Sequence, residues 1–160
     1  MRPLRIGIIT CSDTRSTGEA EDTAGPALAQ ACREAGWEIA AYVIVPDDRA
    51  AIAGAIVSMS DDKSADIVLT TGGTGFSARD VTPEATLDAC DRSAPGIAEA
   101  IRTQSMAVTR RAMLSRAVAA LRGSTLVINL PGSHKGALES LGFVSDQLEH
   151  AISMIEGGGH

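Results

Sequence analysis

The sequence predicts a doubly wound α/β sandwich with a mainly parallel sheet. Three observations carry that prediction. Continuous apolar runs of strand length alternate with segments of helical periodicity along the chain. Four of those runs end in clusters of small polar or acidic residues: Thr10–Asp13, Pro46–Asp48, Thr70–Gly75 and Asn129–Ser133. Aromatic residues make up only 2% of a chain that is 44% hydrophobic, so the core must be built from Ala, Val, Ile and Leu.

Arg5–Thr10 (RIGIIT) reads as the first strand, followed by Cys11-Ser12-Asp13-Thr14 and a loop over Ser16–Asp22. Asp22 or Thr23 can cap a helix from about Ala24 to Ala35, with Pro26 tolerated in its first turn and Gly36 as the stop. Glu38–Val45 is the second strand, and the helix after Asp48 carries Ile52, Ala55, Ile56 and Met59 on one face. Asp66–Thr71 is the third strand. Beyond its glycine loop, Thr82-Pro83 opens a short helix, Pro83–Cys90. Pro95-Gly96 breaks the chain before a helix from about Ile97 to Gln104, and Ser105–Met113, without periodicity, is expected to be a loop. Ser115–Leu121 and Ser124–Leu130 flank Arg122-Gly123 as a hairpin, which puts one antiparallel strand at the sheet margin. Leu141, Val144, Leu148, Ile152 and Ile155 mark a last helix that Gly157–Gly159 should end.

At 160 residues without an internal repeat or linker, the chain is expected to be a single domain, 1–160. Its three cysteines are scattered and unpaired in pattern, and no apolar leader or membrane-length run is present, which fits a soluble cytoplasmic protein. The net charge of −6 argues against a nucleic-acid coat, and the missing membrane-length run against a membrane protein. Positive charge toward an anionic ligand would have to be local, and Arg79, Arg111, Arg116 and Lys135 lie near the candidate loops.

In a parallel sheet all four polar clusters fall at the carboxyl edge, where such folds bind ligands. The strongest of them is the stretch from Thr71 through Gly72, Gly73, Thr74 and Gly75 to Arg79, Asp80 and Thr82-Pro83. Glycine amides beside a helix N-terminus suit a phosphate. Gly73–Ala78 satisfies a loose dinucleotide pattern, but no strand with a terminal acid follows, and no Gly-Lys-Ser/Thr makes a Walker loop. Asp80 and Asp47 each have two readings, a charge complementing a helix end or a Mg²⁺ ligand beside phosphate oxygens. Asp48 is assigned to helix capping. Ser12 and Asp13 can cap a turn or touch ligand. Ser133, at the end of Pro131-Gly132-Ser133, is expected to cap the last helix with its N–H toward the site. Arg79 and, more weakly, Lys135 are candidate phosphate partners, and Arg116 is either structural or anion-facing. Cys11 has no histidine partner in view, so a thiol nucleophile is not expected.

The stretches TTGGTGFSARDVTPEAT (Thr70–Thr86) and LSRAVAALRGSTLVINLPGS (Leu114–Ser133) closely resemble the MogA/MoaB molybdopterin-binding family. So do TCSDTRSTGEAEDTAGP (Thr10–Pro26), VPDD (Val45–Asp48) and PGIAEAIR (Pro95–Arg102), so the resemblance runs along essentially the whole chain. It implies a three-layer α/β domain that assembles as a homotrimer or hexamer and works beside a molybdenum insertase. It also implies that AMP passes from Mg·ATP to the terminal phosphate of molybdopterin with release of pyrophosphate, or, as the alternative in MoaB-type members, molybdopterin binding without catalysis. By match to the family motifs, Asp80 and Asp47 take the essential acidic positions, Thr74 and Gly75 the ligand-holding glycine loop, and Ser133 the pterin side. His134 stands where the family commonly has proline, and Ser105–Arg111 lacks another proline often found there.

Overall fold

The apolar runs become strands buried on both faces. In the computed structural model, which describes residues 2–158, β1 (Arg5–Cys11), β3 (Ile67–Thr71) and β6 (Thr125–Leu130) are almost wholly inaccessible to solvent. They pair in parallel at the centre of a six-stranded sheet of order β2-β1-β3-β6-β5-β4, with β2 (Glu38–Val45) parallel to β1 at one edge. β5 (Ala119–Arg122) runs antiparallel to β6, and β4 (Arg92–Ser93) pairs antiparallel outside it.

Strand alternation sorts the core into two sides. On one face Ile6, Ile8, Ile67, Leu69, Leu126 and Ile128 meet Leu28 of α2 (Ala24–Glu34), Ile101 of α5 (Pro95–Ser105) and Leu141, Leu148 and Ile152 of α6 (His134–Ile155). On the other, Ile9, Val68 and Val127 meet Ile52 and Ile56 of α3 (Arg49–Val57) and Ala85 of α4 (Thr82–Ala89). The result is the expected three-layer α/β sandwich. With so few aromatic residues the helices sit close to the sheet, and at Gly7 a methyl would already press on the Met59 side chain.

Several boundaries differ from the sequence reading, each for a local reason. The Ser16–Asp22 loop begins instead inside a short helix, α1 (Asp13–Thr17), capped by Ser12 and closed by Gly18 in the left-handed region. Asp22, not Thr23, secures α2: its Oδ1 accepts the Gly25 N–H at 3.1 Å, and its Oδ2 accepts the Thr10 and Tyr42 hydroxyls. After α3 the chain continues through a π-helical turn, Ser58–Asp62, which buries Met59. Pro95 is the first residue of α5 rather than a break before it, and α5 runs to Ser105. A 3₁₀ turn, Arg110–Leu114, replaces the rest of the expected loop.

The hairpin is present, but its turn is Gly123-Ser124, and β5 begins only at Ala119. The backbone ahead of β5 is engaged elsewhere: the Arg116 N–H donates to Thr74 O at 2.8 Å and the Val118 N–H to Asn129 Oδ1 at 3.1 Å. β5 is also not the margin of the sheet, because the two residues of β4, too few to leave a periodicity, lie beyond it. Gly157 closes α6 as expected, whereas Gly159 and the tail His160 lie outside the described residues.

Leu69 sits at the centre of the sheet with no exposed surface. Leu69→Ala should lower unfolding free energy by about 2–5 kcal/mol, read from the urea midpoint at unchanged slope. A loss well under about 1 kcal/mol would contradict its central place in the core.

Candidate functional site

Parallel pairing in register brings the strand ends level. Thr10 stands beside Thr71 and Cys11 beside Val45, while Thr71 stands beside Leu130. All four predicted polar clusters therefore meet at one edge, and β1 and β3 form the point where the chain reverses its order across the sheet.

The glycines there answer to crowding. Gly72, at φ 101°, donates its N–H to Leu130 O at 3.1 Å, and a methyl on it would run into the Cys11 carbonyl oxygen. A Cβ on Gly132 would lie 3.2 Å from Gly72 Cα, so the two glycine loops touch. Thr71 ties them with a hydroxyl bond of 2.6 Å to Pro131 O. Ser133 caps α6 by accepting the Gly136 N–H at 3.0 Å, as its position in sequence suggested.

The loop Gly73–Asp80 turns its carbonyl groups into the protein. Gly73 O accepts from the Thr82 N–H, Thr74 O from the Arg116 N–H, Gly75 O from Arg116 Nε and Asp80 O from Arg116 Nη2, at 2.7–3.1 Å. The amide N–H groups of Gly73, Thr74, Gly75 and Phe76 take no intrachain partner among the described residues. Four successive free N–H groups at a bend form an anion-binding concavity. Asp80 accepts the Ser77 N–H at 3.0 Å, which folds the far end of the loop back on itself.

The acidic residues gather on one flank of this loop. Asp13 and Asp47 are joined by reciprocal bonds: the Asp47 N–H donates to Asp13 Oδ1 at 2.9 Å and the Asp13 N–H to Asp47 Oδ2 at 3.1 Å. Arg79 reaches across to Asp13 as a two-pronged pair, 3.0 Å from Nε and 2.9 Å from Nη2. Those bonds hold the Asp13 carboxyl below the usual carboxylate range. Burial pushes the Asp47 carboxyl up; the Asp13 N–H opposes that shift, and the charges of Asp13 and Asp80 add to it. Asp47 Oδ1 and the Thr82 hydroxyl are buried without hydrogen-bond partners, and both face Gly73. Asp48 caps α3 through the Ala51 N–H at 2.8 Å, as expected.

On the other flank opens a cleft of about 470 Å³. Thr74, Gly75, Phe76, Pro131 and Ser133 form one wall; Ile101, Val108, Leu114 and Phe143 form the apolar remainder, with Arg111 and Glu139 among the charged groups. The glycine loop thus stands between a cluster of carboxylates and an apolar cleft. Ser12 is nearly buried at the head of α1, its hydroxyl spent on the Arg15 N–H at 3.2 Å. Lys135 is exposed on the first turn of α6 and is not part of the cleft wall.

Sequence reasoning left three contributors without a role. Thr82 appeared only as a helix opener. Arg116 stood between two readings, and the bonds its side chain makes all go to the protein itself. The cleft wall formed by Val108, Arg111, Ala112 and Leu114, in and just before the 3₁₀ turn, was missed because that stretch has no periodicity and reads as a connecting loop. Cys11 is buried, and burial pushes its thiol up to about 12, which agrees with expecting no thiol nucleophile. No group of three or more His, Cys, Asp or Glu arranged to hold a metal occurs among the described residues.

Comparison with known proteins matches residues 7–150 to the family described as the probable molybdopterin binding domain. The molybdopterin adenylyltransferase of Helicobacter pylori strain J99 is 37% identical over 159 residues, covering 98% of this chain and 90% of that protein. The molybdenum cofactor synthesis protein cinnamon of Drosophila melanogaster is 38% identical over 97% of this chain but only 26% of its own length. The crystal structure of the molybdopterin biosynthesis enzyme MoaB from Thermus thermophilus superposes with a TM-score of 0.90 at 45% identity, covering 96% of this chain and 97% of that one.

Gly72→Ala should displace the loop from β1, because both its positive φ and the Cys11 carbonyl reject a methyl. The expected result is a loss of several kcal/mol, more than about 2, in chemical denaturation. A neutral substitution would contradict the close approach.

Proposed function

The chain belongs to the molybdopterin-binding domain family, and from that premise we propose that it is a molybdopterin adenylyltransferase of molybdenum cofactor biosynthesis. In this reading it binds molybdopterin and Mg·ATP, joins AMP to the terminal phosphate of molybdopterin and releases pyrophosphate. The observation that carries the proposal is the row of N–H groups from Gly73 to Phe76 without intrachain partners among the described residues, standing between a cluster of carboxylates and an apolar cleft.

The two flanks suit two substrates. The nucleotide phosphates belong at Thr71–Gly75, bordered by Ser12, Asp13 and Arg79. The pterin belongs on the side of Pro131, Gly132 and Ser133, with the apolar cleft walls against its ring and Lys135 at the rim. Asp47 Oδ1, buried and unpartnered, fits a carboxylate kept for a hard cation that shares its other ligands with phosphate. Asp47 and Asp80 would hold Mg²⁺, which when bound would shield the phosphate charges.

An oxygen of the molybdopterin phosphate attacks the α-phosphorus of ATP, and the bond to pyrophosphate breaks. Two anions must meet in a site that already holds three carboxylates, so positioning and local positive dipoles decide the rate. Backbone N–H groups supply those dipoles without adding a side chain that needs charge. Arg79, parked on Asp13 and more than half exposed, is the cation free to exchange that partner for a phosphate oxygen. Direct transfer from one phosphate to the other needs no side-chain nucleophile.

We place the reaction in the cytoplasm. In support, Cys11, Cys32 and Cys90 are free thiols, and no helix among the described residues is long and apolar enough to cross a membrane. The likeness to one segment of the longer Drosophila protein supports a molybdenum insertase as recipient of the product. A homotrimer, or a hexamer built from it, is supported by edge strand β2, which leaves Tyr42, Val43 and Ile44 exposed side by side. Mass measured in solution at micromolar concentration should give three or six times the 16.5 kDa chain, and a monomer there would reject the assembly.

Asp80→Asn should nearly abolish AMP transfer, by about a hundredfold or more, while molybdopterin binding stays within a few fold. Pyrophosphate release and molybdopterin binding measured on the same preparation test this. Undiminished turnover with Mg·ATP would remove Asp80 from its role.

A further inference from the structure

We infer that Arg116 is the positioning residue that builds the anion cradle, acting on the loop backbone and not on the ligand. The inference rests on the phosphate-binding reading of Gly73–Phe76 and adds the device that makes it. In a trans peptide the C=O and N–H of one unit point in opposite directions. Fixing Thr74 O therefore aims the Gly75 N–H, and fixing Gly75 O aims the Phe76 N–H. Arg116 holds both: its own backbone N–H takes Thr74 O at 2.8 Å and its Nε takes Gly75 O at 2.8 Å. Its Nη2 takes Asp80 O at 2.7 Å, so the same side chain pins the end of the loop that carries the proposed metal-binding carboxylate.

Glu84 then fixes the guanidinium. Its Oε2 accepts from Nη1 at 2.7 Å and its Oε1 from Nη2 at 3.2 Å, from the first turn of α4. Four of the five N–H groups of Arg116 are spent inside the protein, and none of the four is left to meet a phosphate. A cation beside an anion site would ordinarily be read as a ligand contact; here its charge is neutralised by Glu84, and its use is geometric. Lysine cannot replace it, because one ammonium group cannot reach Gly75 O, Asp80 O and Glu84 in the planar fork that arginine presents.

The test uses the full chain and inorganic pyrophosphate with Mg²⁺ as probe. Amide chemical shifts of Gly73, Gly75 and Phe76 are followed by NMR, and affinity is measured by calorimetry. Arg116→Lys should weaken pyrophosphate roughly tenfold or more, the scale of one misplaced charge-assisted hydrogen bond, and should shift the Gly75 and Phe76 amides before any ligand is added. Glu84→Gln should move the same two amides in the same direction, with a smaller loss of affinity, and it keeps the test decisive if Arg116→Lys does not fold. Wild-type affinity with unmoved amides in either folded variant, even with a lowered melting temperature, would make Arg116 merely structural and overturn the inference. So would a wild-type chain whose Gly73–Phe76 amides ignore pyrophosphate. A wild type that binds pyrophosphate there and transfers no AMP would sink the adenylyltransferase reading while leaving the role of Arg116 standing.

Discussion

Everything at the site depends on parallel strands that end level. Hydrogen bonding in register sets Thr10 beside Thr71 and Thr71 beside Leu130, so three chain segments separated by some sixty residues each must turn within one small volume. That crowding is why glycine appears where it does. Gly72 passes the Cys11 carbonyl at a distance no side chain would permit, and Gly132 passes Gly72 tightly enough that a side chain would have to push it aside. The same crowding gathers the backbone groups proposed to hold the phosphates. Once the carbonyls are bonded inward, the amides have no choice but to face outward.

The charge arrangement follows from this. A protein of net charge −6 gathers Asp13, Asp47 and Asp80 at the edge where it is proposed to receive triphosphate. The arrangement is tenable because each acid is already committed. Asp13 is held by Arg79 and by the Asp47 amide, Asp80 by the Ser77 amide, and one oxygen of Asp47 by the Asp13 amide. Arg79 and Asp13 are largely exposed, so their pairing is worth little as stability and matters as placement. Of the oxygens on these three carboxylates, Asp47 Oδ1 is the one left both buried and unclaimed among the described residues.

Much of this was legible from residues alone. Strands covered on both faces announce themselves as unbroken apolar runs, and Glu38–Val45 was bounded to the residue. Asp48 and Ser133 behaved as caps because a short polar side chain before a helix has few other uses. What stayed hidden was whatever depends on a partner distant in sequence. The two residues of β4 have no periodicity, and pairing with Leu121 and Ala120 is all that makes them a strand. Arg116 stays divided between a structural and an anion-facing reading until Gly75 and Asp80 are folded against it, 41 and 36 positions away. The 3₁₀ turn that walls the cleft reads as a loop in sequence because its apolar residue Leu114 lines the cleft rather than the core, leaving no periodicity.

At the opposite edge, Arg2 forks onto Asp66 at 2.7 and 2.9 Å and also pairs with Glu156. The approach to β1 and the exit from α6 are thereby tied together, as far from the glycine loops as the sheet allows. A polypeptide extended from either side would leave without crossing the cleft. The fold is built as a plug-in module: it can be spliced into a longer chain, or strung beside other domains, with its working edge still turned to solvent. A segment like this one, found within the much longer Drosophila protein, is what such an architecture permits.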